Sequence, residues 1–153
     1  MTDQLPIQDL IGDENHCYGC GPQNPHGLRI KSYLLDDETA ECRFRPAAHH
    51  CAGSTDVLNG GVVSTLIDCH CVNLAMANAY RREGREVGSA PKIWYVTGKL
   101  EVNFKAACAV NQELVLKAKV KSVEGRKTLV ECDLVCDGKI CDSGQVLAIR
   151  IGR

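Results

Sequence analysis

The strongest constraint on this fold is a single helical stripe set between runs of strand-like alternation. Residues 61 to 80 carry apolar side chains at helical spacing, at Val63, Leu66, Ile67, His70, Leu74 and Ala77. The segment ends at Arg81-Arg82-Glu83-Gly84, where cationic residues and a glycine favour a helix C-terminus. One apolar stripe on one helix predicts that this helix packs against a single large surface.

Six runs with period two flank this helix and predict that surface. Two precede the helix, at residues 28 to 34 and 40 to 44, and four follow it, at residues 99 to 106, 113 to 120, 130 to 136 and 145 to 151. Such alternation gives each strand one buried and one solvated face, as in antiparallel sheets. The predicted fold is α+β, a curved antiparallel sheet of five to six strands wrapped around one long central helix. Because one helix must cover the whole sheet, we expect a homodimer or a dimer of dimers.

Length and charge limit the organisation of the chain and its partners. The chain has 153 residues, which suits one domain; residues 1–27 lack any period and predict an arm, and residues 28–153 form the predicted domain. Its 18 basic and 19 acidic residues do not favour nucleic acid or a membrane surface as partner. No apolar run approaches the length of a membrane span, and the N-terminus lacks the features of a signal peptide, so we expect a cytoplasmic protein.

The chain contains ten cysteines, and we interpret them as free thiols because no export signal is present. Cys132 and Cys136 alternate with Val130 and Leu134, where cysteine acts as a small hydrophobic residue.

A cluster of possible zinc ligands lies in the arm. Zinc accepts the residue types and spacing of this set, which consists of His16, Cys17, Cys20 and His26. Cys69 and Cys71 could extend the set, but on a helix they point to different faces. We favour a turn-rich arm beside the functional site and expect no metal, with a zinc-dependent regulatory domain as the remote alternative.

The start of the helix resembles a known signature. The segment Asn59-Gly60-Gly61-Val62-Val63-Ser64-Thr65-Leu66-Ile67-Asp68 resembles that of the PaaI-like hotdog-fold thioesterases, which usually have His-Gly-Gly followed by Asp or Glu two turns later. Gly60, Gly61 and Asp68 match this spacing, whereas Asn59 stands in place of the usual His.

Two further segments extend the resemblance from about residue 16 to the end of the chain. Thr97 opens the segment Thr-Gly-Lys-Leu-Glu-Val-Asn-Phe, where some relatives have a catalytic Ser or Thr. The segment from Cys17 to Leu28 is similar to a box that precedes the first strand in one branch of the family. The resemblance implies a hotdog fold and an acyl-CoA thioesterase, with coenzyme A as part of the substrate and no separate cofactor.

Thioester hydrolysis needs a base or nucleophile and donors for the tetrahedral oxyanion. We assign the first role to Asp68 and the second to the amides of Gly61 and Val62 at the helix N-terminus, where Gly60 allows close approach. Asn59 either orients the thioester or caps the helix. Thr97 either positions water, as the resemblance implies, or is an ordinary strand residue.

The spacing along the helix adds a constraint. Gly61 and Asp68 are separated by about 10 Å of helical rise, whereas a reacting carbonyl lies about 3 Å from both donor and base. The site should therefore combine two subunits. We further predict that His50 lines the acyl entrance and that Arg81 and Arg82 bind the phosphates of coenzyme A.

Two other functions remain open for such a chain. The first is a non-catalytic acyl-CoA-binding hotdog module, against which the retained Asp68 argues. The second is a hotdog hydratase or dehydratase, which Asn59 in place of His disfavours.

Overall fold

The computed structural model describes residues 3–12 and 14–152. The elements in chain order are a short helix α1 (Ile7–Ile11), strands β1 (Ser32–Leu34) and β2 (Thr39–Phe44), a 3-10 turn (Ala48–His50), the long helix α2 (Gly60–Arg82), and strands β3 (Trp94–Phe104), β4 (Leu114–Glu124), β5 (Lys127–Cys136) and β6 (Lys139–Ile151).

The six strands form one antiparallel sheet in the order β1-β2-β4-β5-β6-β3. Helix α2 connects β2 to β3, at the opposite edge of the sheet, and lies across the inner face. Inward residues of the central strands, such as Leu116, Leu134 and Val146, are fully buried. These features confirm the predicted α+β fold.

The predicted stripe of α2 is buried along its whole length, and Leu66, Ile67 and Leu74 are fully inaccessible. Within the described ranges, α2 has the length and composition of a membrane span, yet 67% of its most apolar window is buried inside the protein. The expectation that no segment is long enough was therefore wrong. The reason is packing: a helix enclosed by a sheet is apolar on most of its faces.

The arm contains structure that its sequence did not reveal. Helix α1 has only five residues, too few for a periodic signal, but Ile7 and Ile11 are buried in the main core. Its Gln8 side chain donates to Ser32 Oγ at 2.9 Å and accepts from the Ser32 amide at 2.7 Å, which joins the arm to β1.

Most strands differ from their predicted bounds: β4 ends at Glu124 and not at residue 120, β5 begins at Lys127 and not at residue 130, and β6 begins at Lys139 and not at residue 145. Strand β1 is shorter than residues 28 to 34 because Leu28 and Ile30 donate their amides to Tyr18 and Gly19 in the arm. Strand β3 begins at Trp94, before the predicted start at residue 99. Its first residues were not predicted because a bulge interrupts the alternation of the strand.

Candidate active site

The first part of the candidate site joins α2 to β3. Thr97 Oγ1 donates to Asp68 Oδ1 at 2.6 Å. Asp68 is half-buried in the middle of α2, and burial raises the pKa of its carboxyl group. The Thr97 hydrogen bond acts to lower this pKa, and the charge of nearby Cys17 acts to raise it. The structure thus brings together two of the predicted catalytic residues.

A β-bulge places the Thr97 hydroxyl in this position. Thr97 pairs with Ala148 and Lys99 pairs with Leu147, so Gly98 is the extra residue. A Cβ atom on Gly98 would lie 2.7 Å from Ile149 Cγ1, too close for any larger residue without a shift. The bulge therefore keeps Thr97 directed toward the helix.

The second part of the site is the N-terminus of α2. Asn59 Oδ1 accepts from the Gly61 amide at 2.7 Å and from the Val62 amide at 3.2 Å. Asn59 is therefore the N-cap of the helix, one of the two roles considered for it. The amide of Gly60 has no acceptor in the described part of the chain and faces outward at the positive end of the helix dipole.

Strand β3 ends beside this helix N-terminus. A Cβ atom on Gly60 would lie 3.4 Å from the ring of Phe104, an ordinary contact distance. Both residues line a cavity of about 370 Å³, together with Leu58, Cys108 and Asp142.

Sequence analysis did not identify Asp142. This aspartate is 1% exposed, burial raises the pKa of its carboxyl group, and the Cys108 thiol donates to its Oδ2 at 3.3 Å. Its position in the sequence could have indicated it, because it is an acidic residue at an inward position of β6, in phase with Val146 and Ala148.

The other predicted site residues lie apart from Asp68. His50 Nδ1 accepts from the Ala47 amide at 2.9 Å, and its carbonyl accepts from the Asn59 amide at 2.9 Å, so His50 supports the N-cap residue. Arg81 and Arg82 are at the opposite end of α2, about 30 Å from Gly60 by helical rise. Arg82 Nε donates to Asn78 Oδ1 at 2.9 Å.

The arm lies against α2 beside Asp68, through Cys17 and Cys69. Cys17 Sγ is 3.7 Å from Cys69 Sγ, and Cys20 is buried next to them. A Cβ atom on Gly19 would collide with Cys69 Sγ, so a glycine is needed where the arm crosses the helix. His16 and His26 are exposed and lie outside this group of sulfurs.

Residues 55–141, more than half of the chain, match the model of the thioesterase superfamily. The chain belongs to this superfamily. The matched span contains both Asp68 and Thr97 and includes the whole of α2. A search of curated proteins found no match.

Solved structures of superfamily members share the fold. A thioesterase superfamily protein from Shewanella loihica PV-4 is 29% identical, with a TM-score of 0.67, over 91% of this chain and 96% of that chain. The PaaI protein of E. coli, from the phenylacetic acid degradation operon, is 16% identical, with a TM-score of 0.67, over 82% and 81% of the two chains. A putative thioesterase from Ralstonia eutropha JMP134, described as phenylacetic acid degradation-related, is 16% identical, with a TM-score of 0.66, over 86% and 92%. The predicted PaaI-like hotdog fold is confirmed.

Proposed function

We propose that this protein hydrolyses acyl-CoA thioesters, with Asp68 as general base or nucleophile. The observation that carries the proposal is the 2.6 Å hydrogen bond from Thr97 to Asp68, made between the central helix and the edge strand of a thioesterase-superfamily fold. A half-buried carboxylate with a raised pKa is a better proton acceptor than an exposed one.

The hydrogen bond gives the two carboxylate oxygens of Asp68 different roles. Thr97 holds Oδ1, so the second oxygen is directed either to a water molecule or to the thioester carbon. Attack on that carbon gives a tetrahedral oxyanion, and its collapse breaks the carbon–sulfur bond and expels the thiolate of coenzyme A. In the nucleophilic route, water then hydrolyses the anhydride formed with Asp68.

The helix N-terminus would stabilise the oxyanion. Asn59 Oδ1 occupies the Gly61 amide, which is available only if the side chain turns away. The Val62 amide donates to Asn59 Oδ1 and also to the Asn59 carbonyl at 3.1 Å, so it stays occupied even then. The unpaired amide of Gly60 needs no such change. We therefore propose Gly60 as the principal oxyanion donor, which revises the expectation for Gly61.

The two parts of the site belong to different subunits in this proposal. Gly60 and Asp68 are eight residues apart, about 12 Å along one helix, too far to contact one carbonyl. Strand β3 forms an edge of the sheet and exposes 37% of Leu100 and 59% of Phe104. An edge strand with exposed apolar side chains favours pairing with a second copy.

Antiparallel pairing of two β3 strands would complete the site. If Thr97 of one copy lies opposite Phe104 of the other, the Asp68 that Thr97 holds approaches the partner's Gly60, which Phe104 contacts. The site is then a property of the homodimer, and further association into a dimer of dimers is compatible with it. His50 at the entrance and Arg81 and Arg82 near the coenzyme A phosphates remain predictions.

The test is hydrolysis of aryl-, medium- and long-chain acyl-CoAs by the wild type, Asp68→Ala and a control, Asp133→Ala, altered on the outward face of β5. We expect Asp68→Ala to lose about 10²- to 10⁴-fold in kcat while keeping its oligomeric state, and Asp133→Ala to retain activity. Full activity of Asp68→Ala would refute the site. Tight binding of acyl-CoA without hydrolysis would indicate a binding module, and hydration of an enoyl thioester without release of coenzyme A would indicate a hydratase.

A further inference from the structure

Three cysteine sulfurs converge where the arm meets α2. The Sγ atoms of Cys17, Cys20 and Cys69 all lie within 4.8 Å of one another, and the distance from Cys17 to Cys69 is 3.7 Å. Zinc–sulfur bonds of about 2.3 Å at tetrahedral angles place two sulfurs about 3.8 Å apart. A disulfide requires about 2.05 Å. The observed separation is therefore too long for a disulfide and fits sulfurs that share one ion, although a hydrogen bond between two thiols has the same length.

The polar groups around the sulfurs suit thiolate ligands. Asn15 is 7% exposed; its Nδ2 donates to Cys20 Sγ at 3.6 Å, and its Oδ1 accepts from the Cys17 amide at 2.9 Å. The Gly21 amide donates to the Cys17 carbonyl at 2.8 Å and closes the Cys-x-x-Cys turn. Donors of this kind orient metal-bound thiolates and stabilise their charge.

Access from solvent separates this cluster from the second group of sulfurs in the fold. Cys17 is exposed and borders a cavity, so an ion can reach the three sulfurs from outside the protein.

The second group consists of Cys108, Cys136 and Cys141. There the Cys108 thiol donates to Asp142 and the Cys136 thiol donates to Gln112 Oε1 at 2.9 Å. Burial raises the pKa of both thiols, which remain protonated and have partners within the protein. This second group therefore offers hydrogen-bond donors, not anionic ligands.

We propose that Cys17, Cys20 and Cys69 bind one Zn²⁺ ion through three thiolates. Cys17 also lines a cavity of about 490 Å³ with Asn15 and His16, and water from this cavity completes the tetrahedron. Binding releases the thiol protons to solvent. This site revises the expectation of no metal: Cys69 on α2 replaces the two histidines of the set suggested by the sequence.

The ion would fix the arm to the catalytic helix one residue after Asp68. Without it, the contact between the arm and this part of α2 consists of the close packing of Gly19 and Cys20 and of weak thiol hydrogen bonds such as that between Cys17 and Cys69. The proposal does not depend on thioester hydrolysis, because metal binding is measured directly and separately from turnover.

The test is titration of the reduced, metal-free protein with Co²⁺, followed by displacement with Zn²⁺. We expect one Co²⁺ per chain, with sulfur-to-cobalt charge-transfer absorption and the visible bands of a tetrahedral site. Cys17→Ser is the principal variant, because Cys17 is exposed and its substitution leaves the core intact. Loss of an outer-shell group costs about 10- to 100-fold in affinity, so loss of this ligand should cost more than about 100-fold.

Two further variants locate the ion. Cys69→Ser should lose the charge-transfer absorption, and Cys51→Ser, altered at a partly exposed cysteine outside both groups, should retain it. In thermal unfolding, Zn²⁺ should raise the Tm of the wild type and of Cys51→Ser but not that of Cys17→Ser.

Several results would overturn the proposal. Absence of thiolate absorption in the wild type is one, and full absorption in Cys17→Ser is another. Loss of absorption in Cys136→Ser with retention in Cys69→Ser would place the ion in the second group. A Cys17–Cys69 disulfide in freshly purified protein that binds no metal after reduction would also overturn it.

Discussion

Thr97 Oγ1 donates to Asp68 Oδ1 over 2.6 Å, and this hydrogen bond joins the edge strand of the sheet to the central helix. Within the ranges that the structure describes, Thr97 is the hydrogen-bond partner of this carboxylate. Its orientation therefore depends on one hydroxyl group, whose position in turn depends on the bulge at Gly98.

The contribution of this hydroxyl can be isolated by substitution. Thr97→Ala removes a hydrogen bond worth about 0.5–1.5 kcal/mol and should lower kcat/KM for acyl-CoA about 2- to 12-fold. Thr97→Ser keeps the hydroxyl and should stay close to the wild type. Steady-state kinetics distinguish the two variants, and equal activity in both would show that the hydroxyl does not position the carboxylate.

Gly60 offers a test of the oxyanion donor that does not disturb the helix. It is the first residue of α2, where proline is well tolerated, and the preceding Asn59 has an extended backbone that suits a following proline (φ −64°, ψ 133°). Gly60→Pro removes the amide hydrogen and should lower kcat about 10²- to 10³-fold.

Gly60→Ala is the matched control. It introduces the same Cβ atom, 3.4 Å from the Phe104 ring, but keeps the amide hydrogen, so it should retain most of the activity. Equal losses in the two variants would point to crowding by Phe104 and not to a missing donor.

A site shared between subunits predicts complementation. Asp68→Ala and Gly60→Pro chains should each be inactive, but when they are unfolded together and refolded in equal amounts, the heterodimer contains one intact site. Half of the dimers are then mixed, and about a quarter of wild-type activity should return. No recovery in a mixture shown by mass spectrometry to contain heterodimers would place both groups in one chain.

Asn59 should contribute to stability through its capping hydrogen bonds. Asn59→Ala leaves the amides of Gly61 and Val62 without this acceptor and should lower the free energy of unfolding by about 0.5–2 kcal/mol. Asn59→Ser keeps a capping oxygen and should recover most of the loss. Urea denaturation measures both variants, and an unchanged midpoint for Asn59→Ala would show that the cap is energetically neutral.

Asp142 predicts a pH dependence of stability. Burial raises the pKa of its carboxyl group in the folded state, so the folded protein binds this proton more tightly than the unfolded chain. The contribution of Asp142 to the free energy of unfolding is therefore most favourable below the ordinary pKa of a carboxyl group. It is lost as the pH rises through the raised pKa of the folded state.

Asp142→Asn removes this titration and keeps an acceptor for the Cys108 thiol. Its denaturation midpoint should exceed that of the wild type at neutral pH, and the difference should diminish as the pH falls toward the ordinary range of a carboxyl group. Asp133→Asn, on the outward face of β5, is the control. A difference of the same size at every pH would exclude titration as its cause.

The long elements could be predicted because their periods extend over many residues. The buried side of α2 follows the stripe from Val63 to Ala77, and Leu114 to Val120 of β4 alternate as their sequence indicates. Helix α1 was not predicted because its five residues form little more than one turn, too few to show a helical period.

The site was only partly readable in the sequence. Asp68 and Thr97 followed from the resemblance, but their contact depends on the bulge at Gly98, which the alternation does not reveal. The occupied amide of Gly61 and the convergence of Cys69 with the arm depend on side-chain directions in three dimensions. Composition and spacing carry no such information.

The bulge at Gly98 also sets the phase of β3. Thr97 and Leu100 are three positions apart and would face opposite sides of a regular strand, yet both lie on the side of β6 that carries Ala148 and Val146. Deleting Gly98 would shift the alternation of the strand by one residue, so that the residues on one side of the deletion change faces. With the far end of β3 held in place, the hydroxyl at Thr97 would rotate away from the helix. Removal of this one residue would thus invert the half of the strand that carries Thr97.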